Sequence, residues 1–306
     1  MNESTRSTIP EISGPVSGLP PALSVKARMA AVRARSYLEG RQSSNGGFCF
    51  YRWQAVDEPT LRDTWHAVAA LTLLGAGVPR RDEIVAFLLG FPCTGFDDRY
   101  HRTMALARLN ESIPTDAIER IGELDAAAVL VDTQIPVAAR LQRASQIVAL
   151  QRGLAAVHAP AVVIERTFDL CRDGGWGDKP SLPETWHALA ILDACGSRSH
   201  GDDVNEFIDA LQVPSFGFTA TRDSTFAPLE VVHAGLRACS LLRLPVRHLS
   251  DAVASVLACQ SDDGGFARTS DALPGIALTH LGLLALAFAG ALSVPAAPGW
   301  RDDSGT

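Results

Sequence analysis

Four acids in this chain each precede a histidine by three positions: Asp63 and His66, Asp98 and His101, Glu184 and His187, Glu230 and His233. A fifth histidine, His280, stands in the related stretch Ala277-Leu278-Thr279-His280, where the acid is absent. On a helix, positions i and i+3 project about 60° apart, so each acid and its histidine face the same way from one turn. Two chemistries use such a set. Neutral imidazole and carboxylate are ligands for zinc or iron, usually three or four together. Alternatively, a carboxylic acid whose pKa is raised in an apolar cavity can protonate an alkene or epoxide. A structural role competes with both: the helix macrodipole favours acids in a first turn, Thr64 and Thr185 suit a cap region, and histidines can bond one another or the carbonyls of turns.

The elements that must position these residues are helices. Apolar periodicity places inner helices at about 63–75, 98–109, 136–151, 184–195, 229–242 and 276–290. Amphipathic outer helices alternate with them at about 23–39, 81–89, 115–126, 160–171, 202–212 and 247–259. The segment at about 63–74 is almost wholly apolar and must be buried on all sides. Histidine spacings of 46 residues from His187 to His233 and 47 from His233 to His280 set the repeat. The 35 from His66 to His101 and the 86 from His101 to His187 fit the same count, with one repeat between that lacks a histidine. There the chain offers Arg140, Gln142 and Arg143 around Ala144. Two helices per repeat at this period signal a solenoid or a closed helical ring.

Glycine-aromatic turns join the helices: Gly46-Gly47-Phe48, Gly95-Phe96, Gly174-Gly175-Trp176, Gly217-Phe218 and Gly264-Gly265-Phe266. The turns Gln42-Ser43-Ser44-Asn45-Gly46-Gly47-Phe48 and Gln260-Ser261-Asp262-Asp263-Gly264-Gly265-Phe266 share one pattern. In these residues, over roughly 24–290, the chain resembles the prenyltransferase and squalene-cyclase superfamily. Its members place a Gln…Gly-Gly-Phe/Trp turn after an outer helix and an Asp-Thr start on the inner one. The resemblance implies an all-α fold, an α/α toroid (α6/α6 barrel) whose inner helices surround a central cavity with its reactive face at one mouth.

Neither standard catalytic signature of that superfamily is present. Protein prenyltransferase β-subunits hold zinc with an Asp-x-Cys pair and a histidine. Asp63 and the five histidines match their slots, but the Cys slot holds Trp65, Tyr100, Trp186, Val232 or Thr279. Class II cyclases carry Asp-x-Asp-Asp-Thr; here Thr60-Leu61-Arg62 precede Asp63-Thr64. The thioester Cys-Gly-Glu-Gln of complement-like toroids is absent too.

The expected function is therefore a prenyltransferase- or terpene-cyclase-like enzyme, with a divalent metal, Zn or Fe, held by some of His66, His101, His187, His233 and His280. Asp63, Asp98, Glu184 and Glu230 are its candidate catalytic acids. Trp65, Tyr100, Trp186 and Trp53 are candidate contacts for a hydrophobic, isoprenoid-like substrate, since aromatic faces suit an isoprenoid chain or a carbocation. Two alternatives stand beside it: a metal-independent cyclase or isomerase with a cavity carboxylate as acid, and a non-catalytic β-subunit-like protein with a partner chain.

Composition bounds the rest. The 306 residues carry a net charge of −7, and there is no Lys/Arg stripe of the kind nucleic acid requires. Six cysteines without a C-x-x-C pair read as reduced core residues of a cytoplasmic protein. Residues 1–22 read as a disordered leader, 23–292 as one domain and 293–306 as a flexible tail. The apolar run Ile276–Val294 falls in register with the repeats and reads as a buried helix, not a membrane span.

Overall fold

The computed structural model describes residues 19–50, 52–53, 56–154, 157–197 and 201–293, with side chains of 52, 53 and 56 outside the description. The expected inner helices are all present. They are α2 (Leu61–Leu73), α4 (Phe96–Arg108), α7 (Val137–Leu154), α9 (Leu182–Ala194), α11 (Leu229–Leu242) and α13 (Ile276–Phe288). Outside them run α1 (Pro21–Glu39), α3 (Arg81–Gly90), α5 (Thr115–Gly122), α8 (Pro160–Asp169), α10 (Asp202–Ala210) and α12 (Leu249–Ala258). One element departs from expectation: the outer helix expected at 115–126 stops at Gly122, and a short α6 (Ala126–Val131) follows it. Asp125 starts this extra helix by accepting the Ala128 N–H at 3.0 Å.

The inner helices pack in sequence order, and α13 returns onto α2 to close a ring. α1, first in the chain, packs against α12, α13 and α2, so the two ends of the described chain meet at the closure. Alanine-rich faces such as Ala67, Ala69 and Ala70 of α2 are fully buried and let neighbours approach closely. The thinnest joint of the ring lies between α4 and α7. Arg143 of α7 clasps it, 3.2 Å from the Asp97 carboxylate and 4.1 Å above the Phe96 ring.

Four of the five glycine-aromatic turns are small β structures, whereas Gly95-Phe96 opens α4 directly; a further β pair lies at 52–57. β1 (Arg52–Trp53) pairs with β2 (Val56–Asp57), β3 (Cys171–Arg172) with β4 (Gly175–Trp176), and β5 (Gln212–Val213) with β6 (Gly217–Phe218), all antiparallel. The two matching Gln turns close through the bridges Gln42–Phe48 and Gln260–Phe266. Their glutamines tie each turn to another element: Gln42 donates to the Gly46 and Pro79 carbonyls, and Gln260 to those of Gly264 and Ala30. Glycine is required where the turn meets the next outer helix. Gly264 has φ +95°, and a Cβ there would lie 2.5 Å from the Arg33 carbonyl oxygen of α1.

The threonines of the repeated motif belong to this scaffold. Thr64, Thr185 and Thr279 accept the backbone N–H of Phe48, Trp176 and Phe266 at 2.9, 3.1 and 2.9 Å. α2, α9 and α13 are thus pinned to the aromatic plugs of their turns; Thr60, not Thr64, caps α2. Among the described residues no helix is long and apolar enough to cross a membrane. All six cysteines are free thiols. Burial pushes Cys239 up to about 12 and Cys195 and Cys259 up to about 11, which leaves them protonated and unreactive near neutral pH.

Candidate functional site

Each histidine of the motif sits one turn into its inner helix, and the closed ring brings them into a belt. His66 and His280 approach Nδ1 to Nδ1 at 3.0 Å. The His101 ring stands 6.1 Å from His66, centroid to centroid. On the other side His233 feels both His280 and His187. The station without a histidine is filled by Ser145, whose hydroxyl lies 3.1 Å from His187 Nδ1. The Arg140, Gln142 and Arg143 side chains singled out from the sequence do not take that place. Arg140 donates to the Leu130 carbonyl and Arg143 holds the α4–α7 joint, while the Gln142 backbone carbonyl accepts the Ser145 hydroxyl at 2.7 Å.

Burial keeps all five imidazoles neutral. It lowers His101 and His187 to about 4 and His280 to about 3, and holds His66 and His233 well below the ordinary value. Cations deepen the effect: Arg62 acts on His66 and His101, Arg108 on His280, and Arg237 on His187, His233 and His280. A hydrogen bond between two Nδ1 atoms requires opposite tautomers, so one of the His66–His280 pair carries its proton on Nδ1 and the other on Nε2. Ser145 spends its own proton on Gln142, so it accepts from His187 Nδ1–H and leaves the His187 Nε2 lone pair available.

The four acids separate into different roles. Asp63 accepts from the Thr60 hydroxyl at 3.0 Å, while Thr60 accepts the Asp63 N–H at the same distance, a reciprocal cap. Burial still raises its pKa. Asp98 accepts the Thr94 N–H and hydroxyl, each at 3.1 Å, and fixes the turn before α4. Glu230 pairs with Arg268 at 3.4 Å through one oxygen. Its other oxygen, like Oε2 of Glu184, is buried without a hydrogen-bond partner. Burial pushes the Glu184 pKa up, with nearby Asp178 adding to the shift and the Glu184 N–H opposing it.

The aromatic candidates lie in the packed interior. Trp65, Tyr100 and Trp186 are 1%, 0% and 4% exposed, so protein atoms rather than open space surround them. Trp65 meets the edge of the His280 ring, with centroids 6.1 Å apart. Trp53 is in β1, and its side chain lies outside the described residues. The sequence reading missed Arg237. This residue is 3% exposed, one turn past His233 on α11, with its guanidinium 4.1 Å from the Trp186 ring and 5.0 Å from that of Phe288. Its i+4 spacing from His233 was the available signal.

The expected metal set is only partly assembled. Two imidazole nitrogens on one tetrahedral zinc, with Zn–N of about 2.0–2.1 Å, stand about 3.3 Å apart. The His66–His280 spacing of 3.0 Å is close to that. Among the described residues, however, no group of three or more His, Cys, Asp and Glu side chains is placed to hold a metal ion. The five histidines are spread around a ring and do not converge on one point.

The accessible part of this belt is at α9. His187, Glu184 and Glu230 are half-buried, whereas His66, His101, His233 and His280 are buried. Glu184 and His187 share one face of the first turns of α9, the acid shifted up and the base shifted down.

No curated protein sequence matches the chain. Among solved structures it is similar to Candida albicans protein geranylgeranyltransferase-I complexed with GGPP, at 13% identity and a TM-score of 0.39, covering 89% of this chain and 87% of that one. The family model for the prenyltransferase alpha-alpha toroid domain matches residues 22–110 and 124–300. With its closed ring of inner helices and its repeated glycine-aromatic turns, the chain belongs to the prenyltransferase alpha-alpha toroid family.

Proposed function

We propose that the chain is a prenyltransferase- or terpene-cyclase-like enzyme that acts on a hydrophobic, isoprenoid-like substrate by proton transfer at the α9 part of the belt. Glu184 is the acid and His187 the base. The observation that carries this reading is the pairing of the two on one helical face with oppositely shifted pKa values. The upward shift favours the protonated, acid form of Glu184, and the downward shift keeps His187 neutral with a nitrogen lone pair free to take a proton. Ser145 positions the base by holding its Nδ1 proton. Trp186, directly before His187, is packed under the Arg237 guanidinium and keeps a buried indole N–H without a hydrogen-bond partner.

Glu184→Gln and His187→Gln are each expected to lower turnover of polyprene and polyprenyl diphosphate substrates by about 10²–10⁴-fold. Full activity of the wild type in chelator is expected alongside. Turnover unchanged in both variants would sink the assignment.

A second reading keeps the divalent metal, Zn or Fe, and rests on the His66–His280 pair of neutral imidazoles 3.0 Å apart. His66 and His280 would hold it, and the bound ion would supply Lewis-acid chemistry. Elemental analysis of protein made without a His-tag decides between them. About one zinc or iron per chain, lost in His66→Ala/His280→Ala, supports the metal; metal-free protein with full turnover removes it.

A further inference from the structure

Helix α1 presents an exposed face that none of the chemistry above uses. Val25, Met29 and Val32 are 45%, 63% and 68% exposed on one helix. With about 100° per residue, the three fall within about 60° of arc. Arg28 and Arg35 lie along one border of this stripe, and Lys26 and Arg33 along the other, all four exposed. The opposite face, with Ala27, Ala30, Ala31 and Ala34, is buried in the ring.

The charge is concentrated as well. With Glu39 the only acid, α1 carries +3 in a chain whose net charge is −7. Arg35 bonds Glu39 at 2.7 Å and Arg33 donates to the Ser261 carbonyl, which orients both guanidinia along the borders. Beside the stripe opens a groove of about 300 Å³ between α1, the end of α2 and the segment after α13. Leu73, Leu74, Ala291 and Leu292 line it, with Arg28 and Val32 at its rim.

We propose that this face of α1 seats the protein on an anionic lipid surface, apolar stripe inward and basic borders against the headgroups. An apolar stripe flanked on both sides by Lys and Arg is the pattern of a helix that lies in the plane of a membrane interface. The positive charge of α1, set against the acidic remainder of the chain, complements anionic headgroups and disfavours neutral ones. The adjacent groove gives an acyl or similar chain an apolar place to enter. The proposal does not depend on the proton transfer assigned to α9, because α1 contributes nothing to the belt.

Sedimentation of the full chain with vesicles tests it. Binding is expected to vesicles of phosphatidylcholine containing about one-third phosphatidylserine, and much less to phosphatidylcholine alone. Lys26→Gln/Arg28→Gln is expected to weaken binding about fivefold for each cation removed. Met29→Glu/Val32→Glu should abolish it while leaving the circular dichroism spectrum and melting midpoint unchanged, since both side chains are exposed. The proposal is overturned if the wild type stays in the supernatant, or if the double glutamate variant sediments equally. Capture on immobilised polyglutamate without vesicle binding would also overturn it, in favour of an acidic protein partner.

Discussion

Acidification from about pH 7 to about pH 5 is expected to remove most of the folding stability of this protein, through the histidine belt. In the unfolded chain each histidine titrates near its ordinary value of about 6.5. In the folded ring His101 and His187 titrate at about 4 and His280 at about 3, and His66 and His233 are shifted in the same direction. Below pH ~6.5 the unfolded state therefore binds more protons, and stability present above that pH is lost as pH falls towards the folded values. For a shift of this size the loss at pH 5 is about 2 kcal/mol per histidine. Three such groups alone approach the roughly 5–15 kcal/mol by which domains are stable.

Asp63 and Glu184 act in the opposite sense. Their folded pKa values are raised, so protonation relieves a burial cost as pH falls, but they are two groups against five. Urea melts followed by circular dichroism across this range check the expectation. A midpoint that stays level down to about pH 5 would mean that the imidazoles are not held neutral by the ring.

Replacing Arg237 is expected to separate packing from charge. The guanidinium fills the space between Trp186 and Phe288, and Arg237→Ala should cost about 3–5 kcal/mol by emptying it. Arg237→Met keeps most of the volume and removes a buried cation, a change that is often neutral or stabilising. It should also raise the pKa of His187, His233 and His280, on all of which Arg237 acts to lower it. Proton NMR titration of the imidazole Cε1–H signals reads this directly. Unmoved histidine pKa values in Arg237→Met would show that the belt is kept neutral without Arg237.

Glu184 and Glu230 look alike in the sequence, each three residues before a histidine, yet Arg268 reaches only Glu230. Asp63 and Asp98 hold the same motif position, and the fold engages both with threonines near helix starts. The difference lies in neighbours that come from other repeats or from the preceding turn, and motif spacing along one helix does not contain them. The same holds for Thr64 and Thr185. Their position suggests a cap, but the N–H that each satisfies belongs to the aromatic turn before its helix.

By itself the sequence determined the helices and their alternation, and left a solenoid or a closed ring; the resemblance to the toroid superfamily pointed to the ring. Periodicity and turn chemistry are local properties, and an inner helix as apolar as 63–74 must be covered by a second layer. It also determined that Asp63-Thr64-Trp65-His66 and its copies form one station each. Only the tertiary structure decided what the stations do together. It paired His66 with His280 across 214 positions of chain, put Ser145 where a histidine was missing, and drew Arg237 between two rings. Those contacts cross between helices, and their geometry is set by ring closure, which no local pattern records.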